Sequence, residues 1–232
     1  MQASTIKSNI ERIRQRIEEA CSRCGRSPSE ITLVAVSKFN PAEAVDAAAA
    51  CGVLDFGESR VQELTEKIPK VEADVSWHFI GHLQTNKVKN IIGRVCLVHS
   101  VDSLHLAKEL DRRSAAAGVV TDIRVQINAA GEESKFGEGL AGGEELARQI
   151  KGECGSLRLR GLMQIAPAAE DPEDVRIYFR QVAELYNRLK NSGFSDFDTL
   201  SMGMSHDFET AIEEGSTMIR VGTDIFGERV YN

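Results

Sequence analysis

The chain has 232 residues, 42% hydrophobic and 27% charged, enough for a sizeable core and in the size range of one α/β barrel. A net charge of −7 argues against nucleic acid or an anionic membrane as the main partner, because both select basic patches. Residues 1–20 mix Glu11, Glu18 and Glu19 with Lys and Arg and hold no apolar stretch, and no run approaches a membrane span, so a cytoplasmic protein is expected.

Residues 5–21 read as an amphipathic helix, with Ile6, Ile10, Ile13, Ile17 and Ala20 at spacings of three and four and a stop at Gly25. The apolar, β-branched run 31–36 reads as a strand buried on both faces. It is followed by an Ala-rich helix over 41–51 with Pro41 at its start and Gly52 at its end. The same rhythm then repeats. Strands are expected at 53–56, 77–80, 95–100, 123–128, 157–165, 197–202 and 218–221. Between them come helices at 61–68, 85–92, 103–117, 144–151, 172–191 and 208–214. Strict alternation favours a parallel sheet, and eight units favour a closed (β/α)₈ barrel. The helix after the eighth strand is expected to be missing, with the amino-terminal helix covering the gap. A single domain over residues 1–232 is expected, with no linker or composition shift to split it.

The five cysteines are Cys21, Cys24, Cys51, Cys96 and Cys154. Cys21 and Cys24 form a C-x-x-C, but no second pair or His pair completes a zinc site, so reduced thiols on a helix are the plainer reading.

In such barrels the reactive groups gather at the carboxyl ends of the strands. Lys38 closes the first strand, where partial burial would favour the neutral amine needed for Schiff-base chemistry; a lysine that snorkels to water is the alternative. After strands seven and eight come Ser201-Met202-Gly203-Met204-Ser205 and Arg220-Val221-Gly222-Thr223. Small residues let backbone approach an anion, hydroxyls add donors, and a helix starting near Asp207 would add its positive end. Tight turns and caps are the alternative there. Arg220, inside the eighth strand, needs a partner, either a structural carboxylate or a ligand atom.

Several motifs, in order and spanning nearly the whole chain, resemble the pyridoxal phosphate homeostasis protein family. They are Ala35-Val36-Ser37-Lys38, Phe56 to Glu63, Trp77 to Gly81, Gln84 to Lys87, Ser134-Lys135, Gly161-Leu162-Met163, Leu200 to Ser205 and Arg220 to Gly227. The resemblance implies the barrel of the alanine racemase amino-terminal domain, a fold type III protein without the carboxyl-terminal β domain. It implies pyridoxal 5′-phosphate (PLP) as cofactor, held as an aldimine on Lys38. It also implies phosphate donors at Ser205, Gly222 and Thr223, a pocket shaped by Ser201 and Gly203, and Arg220 facing the pyridine nitrogen. Ser59 stands where many members carry Asn.

The second base of the racemases is a tyrosine from the β domain. Here Tyr178 and Tyr186 fall on the sixth helix and Tyr231 in the tail, so a monomeric, non-catalytic PLP carrier is expected, with PLP-dependent apoenzymes as recipients. A racemase or deaminase acting on a small amino acid, and a barrel for another phosphate ester, are the alternatives. His82 is assigned no role, and Lys135 is read as a surface lysine in preference to a relay for PLP.

Overall fold

The computed structural model describes residues 3–132 and 134–227. Eight parallel strands close into a barrel in chain order: β1 (Thr32–Val36), β2 (Asp55–Glu58), β3 (Ser76–Phe79), β4 (Leu97–Val101), β5 (Thr121–Ile127), β6 (Leu157–Gln164), β7 (Thr199–Ser201) and β8 (Met218–Val221). Around them run α1 (Ala3–Cys24), α2 (Ala42–Ala49), α3 (Val61–Lys67), α4 (Leu104–Ala117), α5 (Leu140–Glu153), α6 (Arg176–Asn191), α7 (Phe208–Glu213) and α8 (Thr223–Phe226). No described helix is long and apolar enough to cross a membrane.

α1 buries Ile6, Ile10, Ile13, Ile17, Ala20 and Cys21, the stripe expected from their spacing. That stripe packs on α2, α7 and α8. It therefore seals the seam between β8 and β1, as expected, although the eighth helix is present as the single turn α8. α4 is punctuated by a Ser103 side-chain cap to the Leu106 N–H and by left-handed Gly118.

The differences from expectation have local causes. Residues 85–90 form a 3₁₀ helix, not an α-helix; Gln84 makes no side-chain cap and Gly93 ends the segment at φ 72°. Pro172 opens a separate 3₁₀ turn before α6. Phe197 stays out of β7 because its ring packs on Tyr186 and Phe194. β2 starts two residues late and takes in Gly57 and Glu58, because Glu58 finds a buried lysine (below).

Register sorts the two faces. In parallel ladders paired residues share a face. Ala35, Phe56 and Trp77 align on the helix side, as do Val125, Leu162 and Leu200, and all belong to the apolar layer beneath the helices. Phe56 and each buried Val or Leu among them contributes about 1.5–3 kcal/mol on burial. The opposite face aligns Arg220, Val34 and Asp55 in one row and Val36, Gly57, His78 and Leu97 in another. The barrel interior is thus unusually polar, where branched apolar residues ordinarily dominate.

A bulge in β6 helps to arrange this interior. Ile123 pairs with Leu159 but Arg124 pairs with Gly161, so Arg160 is skipped and turns to Asp122 and Asp198. Gly161 has φ 151°, and a Cβ there would collide with the Thr199 carbonyl oxygen. Gly161→Ala is expected to cost about 2–4 kcal/mol in urea unfolding; a loss under about 0.5 kcal/mol would show that the bulge tolerates a side chain.

Candidate functional site

A cavity of about 330 Å³ opens at the carboxyl ends of the strands. Lys38, Ser59, Ser205, Arg220, Gly222 and Thr223 all line it, together with apolar Val36, Ile80 and Ile165. Six of the eight residues expected at the site therefore line one cavity. A second cavity, of about 430 Å³, lies at the other end of the barrel between α1 and Asp55.

Lys38 sits on a turn that is gripped on both sides. The Ser37 hydroxyl donates to Glu58 Oε1 at 2.6 Å, and the Ser37 carbonyl accepts from Lys67 Nζ at 2.9 Å. Lys67 is buried and also pairs with Glu58 at 2.5 Å and Glu63 at 2.9 Å. Glu63 in turn accepts the Phe39 N–H at 2.5 Å, and Phe39 holds the left-handed φ of 66°. Asn40 Nδ2 donates to the Lys38 carbonyl at 3.1 Å. Burial pushes the Glu58 carboxyl up, against the pull of Lys67. The residues before and after Lys38 are thus fixed by one buried ion group, which holds the turn over the cavity. Gly81 is required beside it, because a Cβ there would collide with the Ser59 carbonyl.

The adjoining wall is built from the segments after β7 and β8. Gly203 has φ 90°, and a Cβ would press on Phe208 and Ala211 at 2.7 Å. A Cβ on Gly222 would meet Val36 at 3.2 Å. Ser205 Oγ lies 3.5 Å from the Asp224 N–H, tying the two segments. Arg16 of α1 holds them from outside, pairing with Glu209 at 2.6 Å and Asp224 at 2.7 Å. The expected anion seat at the start of α7 is less open than the sequence suggests. The helix has only six residues, and the buried Asp207 carboxylate already accepts the Met204 N–H at 2.6 Å.

Arg220 is buried and lines the cavity, and its protein anchors are carbonyls and a hydroxyl, not a hydrogen-bonded carboxylate. Nη1 donates to the carbonyl and hydroxyl of Ser201 at 2.9 and 2.6 Å, and Nη2 donates to the Gln164 carbonyl at 2.7 Å. Burial lowers the guanidinium to about 10, still cationic at neutral pH. Ser201 is not among the lining residues; it holds Arg220. Gly203 likewise acts from behind, its carbonyl accepting the Arg220 N–H at 3.0 Å.

Beneath Arg220 lies a chain of groups that the sequence reading passed over. Ser201 Oγ is 3.3 Å from His99 Nδ1, His99 Nε2 is 2.9 Å from His78 Nδ1, and His78 Nε2 is 2.9 Å from Asp55 Oδ1. Arg124 Nη1 joins at His99 Nδ1, 2.9 Å away. An ionised Asp55 can only accept, which assigns both histidines as Nε2–H tautomers and makes every donation run from the arginines toward Asp55. Desolvation, then Arg124, His78 and Arg220, hold His99 well below its ordinary value; desolvation also lowers His78. The available signal was alternation. His78, His99 and Arg124 occupy inward positions in strands otherwise apolar enough to be buried on both faces.

At the rim, His82 stacks on Phe136 with centroids 3.7 Å apart and meets Asp102 at 3.2 Å. Lys135, expected as a surface lysine, lies in the loop after β5. It is half-buried and donates to the Ala166 carbonyl at 2.8 Å while pairing with Glu132. Glu133 and Tyr231 lie outside the described residues. All five cysteines are free.

The neutral histidines have a pH signature. Unfolded histidine takes up a proton near about 6.5, whereas the native barrel refuses it to lower pH. The unfolded state then binds more protons, so stability falls as pH drops below about 6.5, by up to about 1.4 kcal/mol per histidine per pH unit. Burial-raised Glu58 and Asp207 act in the opposite sense, since there the native state holds the proton. Urea unfolding at pH 7.5 and 5.5 should show a smaller fall for His99→Gln than for the unsubstituted chain; equal falls would show that His99 protonates freely in the native state.

The family described as the alanine racemase amino-terminal domain matches residues 3–230. The pyridoxal phosphate homeostasis protein of Aquifex aeolicus is 44% identical over 223 residues, covering 96% of this chain and 97% of the relative. The protein of that name from Escherichia coli K12 is 43% identical over 232 residues, covering 98% of each. PipY of Synechococcus elongatus, solved with PLP bound, is 34% identical with a TM-score of 0.80, over 91% of this chain and 100% of that one. The alanine racemase of Clostridium difficile shares the fold at a TM-score of 0.72 and 14% identity, with 58% of its length covered. The chain belongs to the pyridoxal phosphate homeostasis protein family, on the alanine racemase amino-terminal barrel.

Proposed function

We propose that this chain binds PLP through the Lys38 amine and serves intracellular vitamin B6 and amino-acid homeostasis as a carrier, without efficient catalysis. One observation carries the reading: a single cavity is lined by a primary amine, a buried guanidinium and a lip of Ser205, Gly222 and Thr223. When bound, PLP supplies an aldehyde that condenses with a primary amine and a phosphate that seeks hydrogen-bond donors. The lining fits both demands. The Ser205 and Thr223 hydroxyls are the phosphate donors in this reading, and Gly222 admits close backbone approach. Arg220, fixed by two carbonyls and a hydroxyl, keeps its proton and would stand opposite the ring nitrogen, where a cation disfavours a second proton. Ser59 lines the same cavity and completes the set.

Two-base racemisation needs a second base facing the lysine. Tyr178 and Tyr186 lie on α6, outside the barrel, and Tyr186 is stacked on Phe197 with its phenol pushed up to about 12, mainly by burial. Among the described residues no tyrosine lines the Lys38 cavity. The names of the close relatives point the same way. The same reading takes the chain as one functional unit, a cytoplasmic monomer that passes PLP to apoenzymes.

Mixing the protein with PLP should produce a visible absorption band that is absent in Lys38→Ala. Pyridoxal, which lacks the phosphate, should bind at least about tenfold more weakly, about 1.4 kcal/mol. No band in the unsubstituted chain would overturn the PLP reading. Sustained turnover of an amino acid at ordinary enzymatic rates, of about 1 s⁻¹ or more, would overturn the carrier reading in favour of a racemase or deaminase.

A further inference from the structure

The barrel interior carries more positive charge than its own carboxylates answer. Arg124 is fully buried. It donates Nε to Thr199 Oγ1 at 2.9 Å and Nη1 to His99, and its Nη2 has no hydrogen-bond partner among the described residues. The carboxylates around it are already engaged. Asp122 pairs with Arg158 and Arg160, and Asp198 pairs with Arg160. Asp55 is reached only through His78 and His99. Arg220, the second buried cation, bonds to a hydroxyl and two carbonyls.

A buried ion without a counter-ion is unfavourable, and an apolar side chain of similar length is commonly the more stable occupant. The strain shows in Arg124 itself, lowered to about 9 by burial first and by Arg220 second. A ligand bearing a phosphate would supply the missing negative charge from the cavity side. The link is continuous: Arg124 to His99, His99 to Ser201 at 3.3 Å, Ser201 to Arg220 at 2.6 Å. In a low-dielectric interior the attraction between such a cation and an arriving anion is little screened by salt.

We propose that Arg124 is a positioning residue, a buried charge left without a carboxylate of its own, that strengthens the hold on an anionic ligand through His99, Ser201 and Arg220. This inference rests on the PLP reading above, and it assigns stability and affinity opposite signs at one position. Arg124→Met should leave the ligand-free melting temperature unchanged or raised while weakening PLP about tenfold. Arg124→Lys, which keeps the charge, should restore most of that affinity. Thr199→Val removes a hydrogen-bond partner without touching the charge and should bind PLP as the unsubstituted chain does. Pyridoxal affinity should fall less than PLP affinity in Arg124→Met.

If Arg124→Met melts lower yet binds PLP unchanged, the residue is structural and the proposal fails. Should the Met variant not fold, the comparison of Arg124→Lys with Arg124→Gln decides it: equal affinities refute the role of the charge. If the unsubstituted chain binds no PLP in the same titration, the functional reading itself falls, a different outcome from binding that is indifferent to Arg124.

Discussion

The structure depends on how a guanidinium is kept charged and still inside a closed barrel. Arg220 points into the space that apolar side chains normally fill, and it is held by the Ser201 and Gln164 carbonyls and the Ser201 hydroxyl. Carbonyls suit this task because they accept without neutralising. A carboxylate in their place would cancel the charge offered to the cavity. The cost of burying the ion is spread over a chain of oriented donors that ends at Asp55, on the far side of the barrel. That chain is why the interior is polar, and its burial is what chiefly keeps both histidines neutral.

The lysine wall and the lip beside it solve separate problems with the same economy. The Lys38 turn is gripped by Lys67, Glu58 and Glu63, which bond to the residues on either side and leave the Lys38 side chain to line the cavity. The lip consists of two short segments with little regular structure of their own. α1 supplies their support through Arg16, which bridges Glu209 and Asp224. The extra amino-terminal helix is therefore more than a cover for the β8–β1 seam: it sets the spacing of the segments that carry Ser205 and Thr223.

Much of this was legible from the residues alone. The strand–helix rhythm gave the barrel because buried parallel strands and amphipathic helices have different periods. Lys38, Ser205, Gly222 and Thr223 stood out because they interrupt apolar runs at strand ends, and the motif resemblance added Ser59 and the orientation of Arg220. The polar interior was harder to see. His78 and Arg124 each sit between two apolar neighbours and His99 beside Val98, and an isolated polar residue in a strand reads as an edge or a solvent face until the register closes the barrel. Arg16 was out of reach for a different reason: its partners Glu209 and Asp224 lie at long sequence separation, which no spacing rule encodes. Boundaries slipped where a polar residue found a buried partner, as Glu58 did with Lys67, extending β2 past the point where hydrophobicity ends.

The central claim is that Lys38, in the same cavity as Arg220 and the Ser/Gly/Thr lip, is the amine that holds PLP. Reduction of the PLP-loaded protein with borohydride, followed by proteolysis and peptide mass mapping, tests it directly. The account predicts one phosphopyridoxyl-modified peptide, with the modification on Lys38. Modification spread over surface lysines, or concentrated on Lys67 or Lys135, would contradict it.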